Sequence, residues 1–372
     1  MKRFLIALLL FMLIPATARG EELSVDEYNN YLSSYDLSFF ESELDGETKS
    51  RLDELGISEF SFESLYSLDF KKVADILLKT VNGRIKAPGE GIKAVLVYII
   101  LSAFVKSLKS DLSDMNELYS TACALIVTAV LIVKISPSIT AAAASINVSS
   151  DFIYAFIPVF CAIVAASGGI TVSFSTNATL LMLSQGLTFL SSNIFIPAIN
   201  CFLALSVCSS LRPRLGLSNL INALRRGFTT VLSFIAGAYV SVISVKTSAS
   251  VRADMLGMRS LRFVISSAVP IVGGALSEGL VSIQAYSSLI KTSVGIVGII
   301  AVSLVFLPSI IEITVWRIVL TVCSIFCEVF DDSAVSGVLR AFSVTLLIMN
   351  TVLILSALVT VVSIGILVAS GS

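Results

Sequence analysis

The chain has 372 residues, of which 56% are apolar and 14% charged, with a net charge of −1. Soluble domains run at about 45–50% apolar and about 25% charged. No soluble fold has enough interior to hide that much apolar surface, so a soluble globular enzyme is excluded. So are a disordered chain and, for want of a basic footprint, a nucleic-acid binder. With a mean hydropathy of +0.94, the composition specifies a polytopic helical membrane protein.

Charge is unevenly placed. The first twenty residues carry only positive charge, residues 21–90 are strongly acidic, and residues 91–372 are mildly basic. There is no histidine, which removes the commonest general base, metal ligand and pH switch. Cys123, Cys161, Cys201, Cys208, Cys323 and Cys327 lie in apolar runs with no metal-binding CxxC spacing, so they read as small buried hydrophobes and not as a disulfide framework. No metal or cofactor is expected.

At the N-terminus Lys2 and Arg3 precede the apolar run Phe4 to Ile14, and Pro15-Ala16-Thr17-Ala18 offers an Ala-x-Ala cleavage site. Residues 1–18 read as a signal peptide. An uncleaved anchor is the alternative, and either one exports the segment beyond it. Residues 19–90 are then an acidic extracytoplasmic helical segment. Leu52 and Leu55 precede a break at Gly56, and Phe62, Leu65, Tyr66, Val73, Ile76 and Leu77 follow helical spacing. So small a unit has a thin core and is expected to lean on a partner or on the membrane domain.

Residues 91–372 read as a multi-span transmembrane domain. Uncharged runs lie between Lys93 and Lys106, over Leu118 to Val133, and between Asp151 and Arg212. Others cover Gly227 to Val245, Phe263 to Ser277, Thr292 to Ile311, Ile313 to Cys327 (interrupted by Arg317) and Ala341 to Ser372. They are too long and too unalternating for barrel strands, so the spans are helices. At about 20 residues per span they suggest roughly eight membrane-embedded helices. Breaks are expected at Gly168-Gly169, over Ser173 to Asn177, and at Pro197. Arg212, Arg214, Arg225 and Arg226 precede the run 227–245, and Lys246, Arg252, Arg259 and Arg262 come after it. A single crossing there cannot put both groups inside. Either the run is re-entrant, or one group faces a polar cavity or the far side. Lipid headgroup anchoring, the lining of a conduit and an acidic partner all fit the basic residues.

Charges in the apolar C-terminal half are the candidate functional residues, because charge at membrane depth is costly and usually faces protein or water. They are Glu278, Lys291, Glu312, Arg317 and Glu328. Glu312 and Glu328 read mainly as span ends, with Glu312 and Arg317 placed to pair across a short hairpin. Lys291 stands out because it precedes a long apolar run. Gly273-Gly274, Gly295 and Gly298 read as close-packing positions, or as hinges. No nucleotide loop, nucleophile elbow, zincin motif or dinucleotide fingerprint is present, so no catalysis is expected.

Ile157-Pro158, Ser167-Gly168-Gly169, Ile196-Pro197, Leu217-Ser218-Asn219-Leu220, Val245-Lys246-Thr247, Arg259, Val269-Pro270-Ile271-Val272-Gly273 and the run from Leu289 to Gly298 occur in that order. In these landmarks the chain resembles the stage III sporulation protein AE family of endospore-forming bacteria. The match is sharpest from Lys246 to Gly298. Lys246, Arg259, Pro270, Gly273, Lys291 and Gly295 stand at its motif positions. The resemblance implies a non-enzymatic integral membrane subunit in the mother-cell membrane around the forespore. It implies a channel or secretion-like complex with other stage III membrane and ring proteins and a cytoplasmic ATPase, supporting late forespore gene expression under sigma factor G. An independent secondary transporter for a small solute is the alternative, although no internal repeat or acidic ion-coupling cluster accompanies it.

Overall fold

The computed structural model describes residues 30, 32–33, 35, 43–57, 70–108, 113–211, 216–268, 273–330 and 332–369. All secondary structure among them is helical. A short helix α1 (Gly46–Glu54) comes first, followed by α2 (Phe70–Leu108) and α3 (Ser113–Ala166). Then come α4 (Ile170–Leu190), a π-helical turn (Ser191–Phe195), α5 (Ile196–Leu211), α6 (Ser218–Ala268), α7 (Gly273–Val329) and α8 (Ser333–Ala369). The predicted signal peptide lies outside the described residues.

Periodicity explains why the long helices bundle. On α3, Ala124, Val127, Leu131, Ile135, Ser138, Ala142, Ile146 and Ser149 are buried, a stripe at three- and four-residue steps that keeps one face inward. On α2 the buried stripe is Ile76, Thr80, Pro88, Gly91, Val95 and Ile99. The stretches between carry exposed apolar side chains such as Val97, Phe104, Val133, Phe174, Met182 and Phe234. Water disfavours such a surface and lipid does not.

The centre of the bundle is the α7–α8 hairpin, the most deeply buried pair of long helices. Its register is set by a ladder of contacts. Ser336 donates to Glu328, Thr321 meets Ser343 at 3.1 Å, Asn350 donates to Thr314 at 3.0 Å, and Gly298 faces Ile364. One residue number rises as the other falls, so the two helices run antiparallel. A second ladder fixes α3 antiparallel to α7 through Trp316–Ser138, Ser309–Ser145, Gly298–Phe156 and Gly295–Phe160. At the far end Ser120 donates to Asp332 at 2.6 Å, and Ser149 meets Thr360, so α3 and α8 run parallel.

Glycine allows the closest approaches. A Cβ at Gly298 would lie 2.8 Å from the Phe156 ring, and one at Gly295 would overlap Val368. The close-packing reading of these two glycines therefore holds. Gly168 closes the α3–α4 turn with φ of 100°, a left-handed conformation that side chains resist.

Of the expected breaks, only the one at Gly168-Gly169 interrupts a helix. The stretch Ser173 to Asn177 lies within α4. Pro197 produces the π turn instead of a stop. Its ring nitrogen cannot donate to the Asn193 carbonyl, and the preceding turn widens to accommodate it. Pro88, Pro137, Pro158 and Pro308 are likewise carried inside continuous helices.

Among the described residues, five segments are long and apolar enough to cross a membrane: Tyr119–Ala166, Asn177–Leu211, Asn219–Lys246, Ser287–Val329 and Ser333–Val368. The expectation was roughly eight embedded helices. Part of the difference is fusion. Leu118 to Val133 joins the run after Asp151 within α3, and Thr292 to Ile311 joins Ile313 to Cys327 within α7. The run between Lys93 and Lys106 belongs to α2, which is not among the five. At 1.5 Å per residue the 57 residues of α7 are about 85 Å long, well beyond the roughly 30 Å of a hydrocarbon core. The run 227–245 lies in the middle of continuous α6, which rules out a re-entrant pair there. Arg226 and Lys246 sit about 30 Å apart along that one helix.

Candidate functional site

The sequence-predicted charges do not converge on one point. They occupy two levels of the bundle and the outer face of α6. The best defined level centres on Glu312, about two-thirds of the way along α7 and 7% exposed. Arg84 of α2 donates from Nη1 to Glu312 Oε2 at 3.2 Å and from Nη2 to Glu47 Oε2 of α1 at 2.6 Å. Arg51 donates to the other oxygen of Glu47 at 2.5 Å. On the far side, the Ser138 hydroxyl donates to Glu312 Oε1 and accepts from Trp316 Nε1 at 3.1 Å. The Trp316 ring is itself seated on α2, where any Cβ at Gly91 would overlap it.

One continuous chain of donors and acceptors thus links α1, α2, α3 and α7. A buried carboxylate is tolerable when paired and hydrogen-bonded, and costly otherwise. Here both oxygens of Glu312 are engaged. The expected pairing of Glu312 with Arg317 across a hairpin is replaced by this arrangement, since both residues lie on α7 with no turn between them.

The network also reaches the acidic segment. Leu44, Leu52, Leu55 and Ile57 are buried, and α1 packs on α7. Gly56, with φ of 75°, ends α1. Nearer the start of α7, Tyr35 hydrogen-bonds Ser287, and burial raises its hydroxyl pKa above the ordinary value. The stretch Phe62 to Asp69 lies outside the described residues.

Lys291 defines the second level. It is 1% exposed, the largest charged side chain among the fully buried ones described. It lies one turn before Gly295, whose neighbours are Phe160 and Val368. On α6, Asp254 is 8% exposed and accepts from the Thr171 backbone N–H at 2.7 Å. It thereby caps the first turn of α4 from another helix. Lys246, two turns away on α6, donates to Thr179 of α4 at 2.6 Å and is otherwise exposed. Arg259 is exposed on α6. Gly273 opens α7, Pro270 lies outside the described residues, and the Glu278 side chain does too. Glu328 lies in the last turn of α7 and pairs with Arg340 across the hairpin turn.

Arg84, Ser138 and Trp316 were not picked out from the sequence. Arg84 has a legible signal, because it falls four residues from Thr80 and four from Pro88, on the buried stripe of α2. Among the described residues no group of three Cys, Asp or Glu is placed to hold a metal.

Among the described residues, a helical bundle with five segments long and apolar enough to cross a membrane, and with the buried Glu312 and Asp254 held from other helices, fits the class of polytopic helical membrane proteins. The family model for stage III sporulation protein AE matches residues 57–371, and the chain belongs to that family. It is 24% identical over 244 residues to the stage III sporulation protein AE of Bacillus subtilis (strain 168). That match covers 60% of this chain and 61% of the relative. No solved structure matches.

Proposed function

We propose that the chain is a non-enzymatic membrane subunit of a channel or secretion-like complex joining mother cell and forespore. It sits in the mother-cell membrane around the forespore and supports late forespore gene expression under sigma factor G. The observation that carries this reading is the family match over residues 57–371, which takes in the whole bundle from α2 to α8. The membrane-length helices are consistent with it. In this reading residues 1–18 direct export and residues 19–90 face away from the cytoplasm. The partners are other stage III membrane and ring proteins and a cytoplasmic ATPase, which supplies the energy. Lys246, Arg259, Pro270, Gly273, Lys291 and Gly295 carry function or assembly.

The test is an in-frame deletion in the organism that carries the gene, scored for spores and for a late forespore reporter. Completed engulfment with a silent reporter and collapsing forespores is the expected result. Normal sporulation overturns the reading. Purified protein in liposomes is expected to move no solute alone and to co-purify with its neighbours from cells.

A further inference from the structure

Where α3, α4, α7 and α8 meet, the bundle holds a partly open cavity of about 10 Å³. Its polar lining is Ser149, Ser150, Ser184, Thr188, Ser356 and Thr360, beside the ring of Phe306. Six hydroxyls around one small space is an unusual lining for the core of an apolar bundle. Five of the six belong to residues less than 9% exposed. The Thr188 hydroxyl is spent on the Ser184 carbonyl at 3.1 Å, and Ser149 and Thr360 make only a long 3.4 Å contact. Ser356, 4% exposed, has no hydrogen-bond partner for its Oγ among protein atoms.

We propose that this cavity is a binding site for one ordered water molecule, held by Ser356 and by the Ser149–Thr360 pair. The space is about the size one water needs, and the lining offers the two to four polar partners a buried water requires. An orphaned hydroxyl in a dry core is costly, and a bridging water removes that cost. A bare cation fits worse, because no carboxylate lines the cavity to balance its charge. The site extends a polar stripe on α3, where Ser138 meets Glu312, Ser145 meets Ser309 at 2.8 Å, and Ser149 meets Thr360. Along this stripe hydroxyls join α3 to α7 and α8.

The test is the sign of a stability change in the full-length protein in nanodiscs. If water fills the site, Ser356→Ala removes one of its partners and lowers Tm by about 1–3 °C. If the cavity is dry, Ser356→Ala removes an unsatisfied group, and an unchanged or raised Tm overturns the proposal. Density from an experimental structure provides a second readout: a peak within hydrogen-bond distance of Ser356 Oγ and Thr360 Oγ1 is expected, and an empty cavity overturns it. Melting in sodium chloride and in N-methylglucamine chloride should agree. A sodium-specific rise in Tm that is lost in Ser356→Ala assigns a cation instead and overturns the water assignment.

Discussion

Arg84 of α2 and Glu312 of α7 are 228 residues apart in the chain and meet at 3.2 Å. The same guanidinium holds Glu47, so one side chain fastens the short α1 helix to the centre of the bundle. Truncating Arg84 leaves a buried carboxylate with Ser138 as its remaining partner. Breaking a fully buried pair costs about 3–5 kcal/mol, and because Arg84 is 31% exposed the expected cost is nearer 2 kcal/mol. Arg84→Met should therefore lower the melting temperature clearly. The double variant Arg84→Met with Glu312→Gln should recover much of the loss, because no unpaired charge remains. A double variant as unstable as the sum of the two singles would show that the residues do not act as a pair.

The same relationship shows what a sequence reading can reach. The helical class is legible, because it depends on local composition. Gly295 and Gly298 are legible as small residues on one helical face, and their contacts with Val368 and Phe156 bear that reading out. The Arg84–Glu312 pair is not legible, since it depends on the register of α2 against α7. The span count suffers for a related reason. A charge such as Glu312 divides two apolar runs when read alone, but inside the bundle its partners satisfy it and α7 continues past it. Proline misleads in the same way at Pro197, where a π turn absorbs the missing donor and the helix continues into α5.

Packing at Gly295 makes a prediction of suppression. A methyl there overlaps Val368 and lies 3.1 Å from the Phe160 ring. Gly295→Ala should destabilise the α7–α8 hairpin by about 1–3 kcal/mol, the usual range for overpacking. Val368→Ala in the same chain removes the obstructing methyls and should restore most of the melting temperature. Failure of Val368→Ala to rescue would place the strain elsewhere, on Phe160 or on α3.

Hairpin register can be read by cross-linking. Thr314 and Asn350 touch through their side chains at 3.0 Å, and Thr321 and Ser343 at 3.1 Å. In a chain freed of its native cysteines, cysteine pairs at 314/350 and at 321/343 should form disulfides under mild oxidation. The mismatched pair 314/343 should not, because its members lie about two turns apart along the hairpin. Efficient linking of the mismatched pair would mean that the helices slide or are registered differently.

Lys291 separates structural from functional necessity. A buried lysine is costly to keep, and methionine matches the length of its stem while carrying no charge. Lys291→Met is therefore expected to leave the protein in the membrane with a higher melting temperature than Lys291→Ala. If the ammonium serves assembly or passage through the proposed complex, the same variant should give the spore yield of a deletion strain. Lys291→Ala should fail equally in sporulation, and it also loses packing beside Gly295, so its melting temperature should fall. Wild-type spore counts for Lys291→Met would remove the ammonium from the functional account and leave only the aliphatic stem, packed at the start of the apolar run of α7. Loss of sporulation at undiminished stability, measured in one strain, ties the function of the bundle to a charge rather than to its packing.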